Sequence, residues 1–346
     1  MIILITNQAK HIGSELEKRY HSDFDFYYEG SNRYGHDEFE DHHQYTRLDA
    51  NIEKLERLHN EDVVIVHCAL PRPNSSKDRL FKLIRGAKEP YYSKGKVEVN
   101  PGVFEKQYWR VKTKAGGEVD VEPKSIQVYY LFPPDAKQDW VDLPGAVNAA
   151  ELHLDICEFL GASTFYFLDS HFEGAPWLKK YKRVVNSTVQ DKLIEEVKKY
   201  HPDVIFVGAD QGAAERALLR GVKMPSLIKT RTNDSTKNKV FVPDHVKKKI
   251  RGKEVCPLDD MGGTGGTQID TINALNGCGV EGIWTAFTHV GLPQSYSRAR
   301  SRLDDLYPSD RREPFGRVYV SNSISNRQTS AIDVTDTLVE TLKKYW

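Results

Sequence analysis

Leu258-Asp259-Asp260-Met261-Gly262-Gly263-Thr264-Gly265-Gly266-Thr267 is the stretch on which the reading turns. An apolar, β-branched run at 255–260 leads into it, and a helical pattern at 267–275 leads out. A strand that delivers into a glycine-rich turn and then a helix is a βα unit, and open α/β sheets bind ligands at the carboxyl ends of such strands. The four glycines let backbone N–H groups approach an anion closely, and a helix N-terminus adds partial positive charge. Thr264 and Thr267 offer hydroxyl donors to phosphate oxygens. Asp259 and Asp260 then face something neutral or cationic, such as sugar hydroxyls or magnesium. The plainer alternative is a glycine-rich turn whose aspartates cap a helix; two acids before the glycines and two threonines among them argue for a ligand. No Lys follows the glycines, so this is not a Walker loop, and neither spacing nor acid placement fits the dinucleotide pattern G-x-G-x-x-G.

Outward from this stretch, short apolar runs recur at 2–6, 63–68, 126–132, 164–169, 204–208, 226–229, 282–288 and 317–321. Continuous apolar runs of that length suit strands buried on both faces of a parallel sheet. Helical patterns at 146–160, 189–200 and 212–220 lie between them. The alternation predicts an α/β fold, doubly wound. Two stretches break the rhythm. Residues 29–45 are polar, with three histidines among acids, and read as a solvated loop more readily than as a metal site. Residues 90–125 alternate Lys, Val, Tyr and Trp around Gly116-Gly117 and predict a β-hairpin insertion.

Composition narrows the function classes. The 346 residues suggest two domains at roughly 150 residues each. Forty-nine basic and 49 acidic side chains leave a formal charge of zero, without the basic excess of a protein that lives on nucleic acid or an anionic membrane. Cys68, Cys157, Cys256 and Cys278 show no C-x-x-C spacing, which argues against structural zinc and for buried free thiols in a reducing compartment. The first apolar stretch, of about five residues, is too short for a signal-peptide core or a membrane span. A cytoplasmic enzyme or binding protein is the expectation.

The stretch at 258–267 resembles the phosphoribosyl-pyrophosphate motif of phosphoribosyltransferases and ribose-phosphate diphosphokinases. In that superfamily two acids bind ribose hydroxyls and a TGGT segment holds the 5-phosphate. Here Gly262 and Gly263 stand where the family usually has a bulky apolar residue and then an acid, so a carboxylate is lost and space is expected to be gained. Other segments favour the diphosphokinase branch. Phe206-Val207-Gly208-Ala209-Asp210-Gln211-Gly212-Ala213-Ala214-Glu215-Arg216 resembles its acid, small turn and helix. Leu168-Asp169-Ser170-His171 resembles its Asp-Leu-His at a strand end, and Ala136-Lys137-Gln138-Asp139 its Ala-Arg-Gln-Asp, with Lys in place of Arg. Ser226-Leu227-Ile228-Lys229-Thr230-Arg231 resembles the strand ending in Lys-x-Arg that leads into a loop.

The resemblance implies two phosphoribosyltransferase-like domains with the active site between them. The first, 1–175, is the ATP side and carries the insertion at 90–125; the second, 176–316, carries the phosphoribosyl loop; a terminal strand and helix at 317–346 pack back on the first. It implies transfer of a diphosphate from Mg-ATP to the anomeric hydroxyl of ribose 5-phosphate, releasing AMP. Asp259 and Asp260 would hold ribose hydroxyls, and Gly262, Gly263, Thr264, Gly265, Gly266 and Thr267 the 5-phosphate. His171 and Asp210 would bind Mg2+, with a satisfied histidine and a helix cap as their bland readings. Lys137, Gln138 and Asp139 would contact ATP. Lys229 and Arg231, which a strand would point to one side, would stabilise the transferring group. The family stacks adenine on an aromatic residue of a neighbouring subunit; Tyr27, Tyr28 and Tyr34 are candidates, and a homo-oligomer, dimer or hexamer, is implied. The rivals are the same chemistry on ADP-ribose for NAD salvage, as certain phage enzymes resembling the family perform, a phosphoribosyltransferase, and an inactive regulatory homologue.

Overall fold

The computed structural model describes residues 1–31, 45–49, 52–89, 92–109, 111–112, 118–119, 121–231, 238–262, 265–291, 293–306, 317–325 and 331–346. The chain divides into two compact units. One comprises Met1–Phe167 and Trp177–Val185, the other Leu168–Pro176 and Asn186–Trp346.

The first unit holds, in chain order, β1 (Ile2–Ile5), α1 (Lys10–Tyr20), β2 (Asp25–Gly30), β3 (Arg47–Leu48), α2 (Ile52–Glu56), β4 (Asp62–Cys68), α3 (Pro73–Lys88), β5 (Tyr92–Asn100), β6 (Val103–Trp109), β7 (Val111–Lys112), β8 (Glu118–Val119), β9 (Ser125–Phe132), α4 (Ala149–Phe159) and β10 (Ala162–Leu168). A last strand, β11 (Val184–Ser187), closes a sheet of order β11-β10-β9-β4-β1-β2-β3. The pairs from β2 through β1, β4 and β9 to β10 are parallel. Every residue of β1 and β4 is buried, as expected of strands covered on both faces. The face of α3 that buries Leu80, Leu83, Ile84 and Ala87 has the spacing of one helical stripe.

The insertion contains a hairpin, as its alternation predicts. β5 and β6 are antiparallel, with Asn100 opposite Val103, so the chain reverses at Pro101–Gly102, where Gly102 takes a φ of +77°. The expected Gly116-Gly117 turn lies outside the described residues, bracketed by the short antiparallel pair β7 and β8.

The second unit follows with α5 (Gln190–Tyr200), β12 (Ile205–Gly208), α6 (Gln211–Leu219), β13 (Ile228–Arg231), β14 (Asn238–Phe241), α7 (Asp244–Ile250), β15 (Glu254–Gly262), α8 (Gly266–Asn276), β16 (Gly282–Ile283), β17 (Thr285–Val290), α9 (Pro293–Leu306), β18 (Val318–Val320) and α10 (Thr335–Tyr345). Its parallel sheet runs β12-β15-β17-β18, with β16 beside the start of β15. Val207, Val255, Ile272, Phe287, Leu303 and Val318 meet in its core.

The segment 317–346 belongs to the second unit, where β18 adds to β17, with Thr285 opposite Val318, and α10 buries Leu338, Val339 and Leu342. One expectation is corrected here. The run at 226–229 does not extend the parallel sheet as a strand. Ser226 makes a single bridge to Gly208, and the strand that follows pairs antiparallel with β14, leaving Ile228 and Phe241 about half exposed (45% and 52%). Its polar IKTR sequence has too few apolar residues for a place covered on both faces. The cysteines are free thiols, three buried and Cys278 half-buried. No described helix is long and apolar enough to cross a membrane.

Candidate active site

Asp259 and Asp260 lie inside a strand, not in the turn that follows it. β15 runs on to Gly262 because β17 keeps pairing with it, Asp259 opposite Phe287 and Gly262 opposite Val290. Alternation starts the two side chains on different faces at the C-terminal end of the strand, yet both carboxylates reach Arg216 Nη2. The Asp260 side chain is 1% exposed and that of Asp259 13%. Gly262 is buried, and a Cβ there would meet Val290 Cγ2 at 3.1 Å, so this glycine answers to the crowding of the neighbouring strand. That corrects the expectation that position 262 gains space. Gly263 and Thr264 lie outside the described residues. Gly265 is the N-cap of α8 with a φ of +87°, a conformation that favours glycine. Gly266 is exposed and Thr267 half-buried in the first turn of α8, where backbone N–H groups lack helical partners.

Two neighbouring segments close on the acids. From α6, Arg216 Nη2 pairs with Asp260 Oδ1 and lies 3.6 Å from Asp259 Oδ1. From the turn after β10, His171 Nδ1 lies 3.0 Å from Asp260 Oδ2. A carboxylate only accepts, so Nδ1 is the donor of that bond. The backbone N–H of Asp260 donates to Asp259 Oδ1 at 2.9 Å. The two carboxyls diverge in proton affinity. Burial, then the negative charge of Asp260, pushes Asp259 well above the usual range. Burial also acts on Asp260, but Arg216 and His171 outweigh it and hold that carboxyl well below the usual range.

Asp210 caps α6, accepting from the Ala213 N–H at 2.9 Å, which is the bland reading of that residue. Its charge still reaches Asp259 and Arg216. The turn that carries His171 is anchored by Asp169, which is fully buried at a φ of +44°. Asp169 Oδ2 accepts from the Val189 N–H (3.1 Å) and from Thr288 Oγ1 (2.7 Å). Its Oδ1 lies 3.1 Å from Arg220 Nη1, and Arg220 Nε donates to Glu173 at 2.7 Å. Beside it, His289 meets the Leu168 carbonyl (2.9 Å) and Ser323 Oγ (2.8 Å), and burial lowers its pKa.

Lys229 is half-buried on β13, opposite Val240, and Arg231 stands opposite Asn238 in backbone register. In the first unit, Lys137 and Gln138 are exposed in the turn after β9, and Asp139 is half-buried. That turn is fixed through backbone groups: Gln138 N–H to the Asp135 carbonyl (2.8 Å), Ala150 N–H to the Gln138 carbonyl (3.1 Å) and Trp177 Nε1 to the Asp139 carbonyl (3.0 Å). Among the adenine-stacking candidates, Tyr27 is excluded. It is 1% exposed, with its hydroxyl on the Lys54 carbonyl, so neither ring face reaches a base. Tyr28 is half-buried with its hydroxyl on Glu17, and Tyr34 lies outside the described residues, as do the three histidines of 29–45.

Arg216, Arg220 and Glu173 were not singled out from sequence. Arg216 sits four residues after Gly212 and so on the same face of α6, but nothing local marks its partner 44 residues away. Among the described residues no group of three or more His, Cys, Asp or Glu side chains is arranged to hold a metal ion. Magnesium that arrives on nucleotide phosphates needs only one or two protein ligands, and His171 Nε2 and a free oxygen of Asp210 fit that demand. A metal-binding histidine whose other nitrogen donates to a carboxylate is a common arrangement, and the His171–Asp260 bond supplies it.

No protein-family model and no curated protein sequence matches the chain. Among solved structures it is similar to the phosphoribosylpyrophosphate synthetase from Mycobacterium smegmatis, with a TM-score of 0.67 at 19% identity, over 99% of this chain and 97% of that one. The likeness therefore spans both units and shows a shared α/β fold of mostly parallel sheets flanked by helices.

Proposed function

We propose that the protein is a ribose-phosphate diphosphokinase, which transfers the β,γ-diphosphate of Mg-ATP to the anomeric hydroxyl of ribose 5-phosphate. The observation that carries this is the pair of acids at the end of β15, with the N-terminus of α8 after them and His171 and Arg216 against them. The end-to-end likeness in fold to a phosphoribosylpyrophosphate synthetase supports it.

In the reaction the anomeric oxygen bonds to the β-phosphorus while the bond from that phosphorus to the α,β-bridging oxygen breaks. AMP leaves with the bridging electron pair, and the hydroxyl proton passes to solvent. Acceptor hydroxyls are held from β15, and the 5-phosphate lies against the first turn of α8. Lys137, Gln138 and Asp139 contact ATP. Mg2+, held from the protein by His171 and Asp210, would neutralise charge on the phosphate oxygens when bound. Lys229 and Arg231 stabilise the charge on the transferring group. The transition state is loose, so fixed cations and positioning supply the rate without a covalent intermediate.

The test is AMP release from Mg-ATP in parallel with ribose 5-phosphate, ADP-ribose or no acceptor. Turnover with ribose 5-phosphate is expected. Turnover with ADP-ribose alone would transfer the same chemistry to a phosphodiester acceptor. Gly262 lends that outcome no support, since its missing side chain is matched to Val290. Binding of ATP without AMP production in any tube would favour the regulatory homologue.

A further inference from the structure

Residues 133–148, between the end of β9 and the start of α4, form no helix or strand. Lys137, Gln138 and Asp139 stand in this stretch, so the directions of their side chains are set by whatever holds the backbone there. A planar peptide leaves two soft dihedrals per residue, and each tied N–H or C=O fixes one peptide plane. The Gln138 N–H fixes the plane before Gln138, by donating to the Asp135 carbonyl at 2.8 Å. The Gln138 carbonyl fixes the next plane, by accepting from the Ala150 N–H at 3.1 Å. The Asp139 carbonyl fixes the third, and its donor is a side chain: Trp177 Nε1, at 3.0 Å and 38 residues away. With all three planes held, the backbone of Gln138 and Asp139 is determined.

The indole is seated on the frame that holds the second plane. Trp177 stands in a one-turn helix, Pro176–Lys180, edge-on to Tyr181 with ring centroids 6.3 Å apart. The Tyr181 hydroxyl meets the Glu151 carbonyl (3.0 Å) and Asp155 Oδ1 (2.8 Å), and Lys180 Nζ lies 2.7 Å from the carboxylates of both residues. Glu151 and Asp155 belong to α4, the helix whose Ala150 N–H takes the Gln138 carbonyl. Two successive carbonyls are therefore held from one frame, the first by α4 itself and the second through an indole fastened to it. A half-buried indole N–H finds an acceptor in most settings, which is the plainer account of this bond. Against that account stands the place of the acceptor, on the plane that the two backbone ties leave free.

From this we infer that Trp177 is a positioning residue for ATP, acting on the nucleotide through the peptide planes that aim the Gln138 and Asp139 side chains. The inference rests on the proposed reading of this turn as an ATP contact.

The test measures binding of magnesium α,β-methylene-ATP, whose scissile bridge is carbon, by calorimetry on variants of the full chain. Hydrogen exchange of the peptide covering 133–140 is followed beside it. Trp177→Phe keeps a ring against Tyr181 and removes the N–H. It is expected to speed exchange in that peptide and to weaken the analogue about fivefold, with ribose 5-phosphate affinity unchanged and melting within about 3 °C of wild type. Trp177→His returns a donor to the same place, since imidazole Nε2 occupies the ring position of indole Nε1, and is expected to recover part of the lost affinity. In a chain already carrying Gln138→Ala and Asp139→Ala, Trp177→Phe is expected to change affinity less than about twofold, because the side chains it aims are gone. Unchanged affinity in Trp177→Phe, equal losses in the Phe and His variants, or an undiminished loss in the double-alanine chain would overturn the inference. The proposed function fails separately. A wild-type chain that does not bind the analogue removes ATP from the turn, whereas wild-type and Trp177→Phe chains that bind it equally well remove only the role of Trp177.

Discussion

His67 sets up a quantitative expectation for the first unit. It lies in β4, fully buried, with Tyr130 opposite it in register and edge-on to its ring at 5.9 Å. Among the described residues neither of its ring nitrogens has a hydrogen-bond partner. Burial without a partner opposes the charged form, and the pKa falls from 6.5 to about 3. Between those two values the unfolded chain binds a proton that the folded chain refuses. Stability from this group is complete above pH 6.5 and is lost progressively as pH falls towards 3.

At pH 5 the gap from 6.5 is 1.5 units, which at about 1.4 kcal/mol per unit amounts to about 2 kcal/mol. His67→Leu removes that proton uptake and two buried polar atoms while keeping an apolar side chain of similar size. It is expected to be neutral or slightly stabilising at pH 7 and to exceed wild type by about 2 kcal/mol more at pH 5. Burial is also the main cause that lowers the pKa of His153, which stays in both proteins, and His67 is a lesser cause of it. The assay is urea unfolding at the two pH values, read by pulsed hydrogen exchange of the peptide covering β4, so that the first unit is followed on its own. With a denaturant slope near 2 kcal/mol/M, the midpoint difference should widen by about 1 M on going from pH 7 to pH 5. A midpoint difference that is the same at both values would refute the reasoning.

Three further outcomes are expected. Arg220→Met leaves the buried carboxylates of Asp169 and Glu173 without their cation and should destabilise the second unit by about 3–5 kcal/mol, measured by the same method on a peptide from α6. Glu173 is pushed above its ordinary 4.5 by burial against the pull of Arg220, so the folded chain binds the extra proton and stability falls as pH rises just above 4.5; Glu173→Gln should flatten that limb of the stability profile. Lys229→Ala should lower AMP release by about a hundredfold to a thousandfold with little change in ATP affinity, whereas a phosphoribosyltransferase would tolerate it.

The legible part of this chain was the part whose signal is local. The runs 2–5 and 63–66 are apolar throughout because both faces of their strands are covered. The polar run of β13 carries a weak pattern, and its partner was misjudged for that reason: pairing partner and sheet are decided by contacts far along the chain. The same distance hid Arg216 and the Asp169 anchor. Arg216 meets Asp260 across 44 residues, and Asp169 meets Thr288 across 119. Tyr27 and Tyr28 look alike in sequence, and only the register of β2 against β1 tells which ring is sealed by the unit's interior.

Placing the acids on a strand changes what the glycines after them can be asked to do. Had Asp259 and Asp260 sat in the turn, the turn's conformation would have set their positions, and each substitution there would have moved the sugar as well as the phosphate. In β15 they are held by the ladder to β17, by Arg216 and by His171, none of which depends on the turn. A carboxylate fixed on a regular element by packing and hydrogen bonds is pre-organised, so little ordering is left to do when an acceptor arrives. The stretch first read as one motif therefore divides at Gly262. Before it stands a half fixed in the ladder, to which the proposed function gives the acceptor hydroxyls. After it comes the half that opens a helix at Gly265, to which the same proposal gives the phosphate.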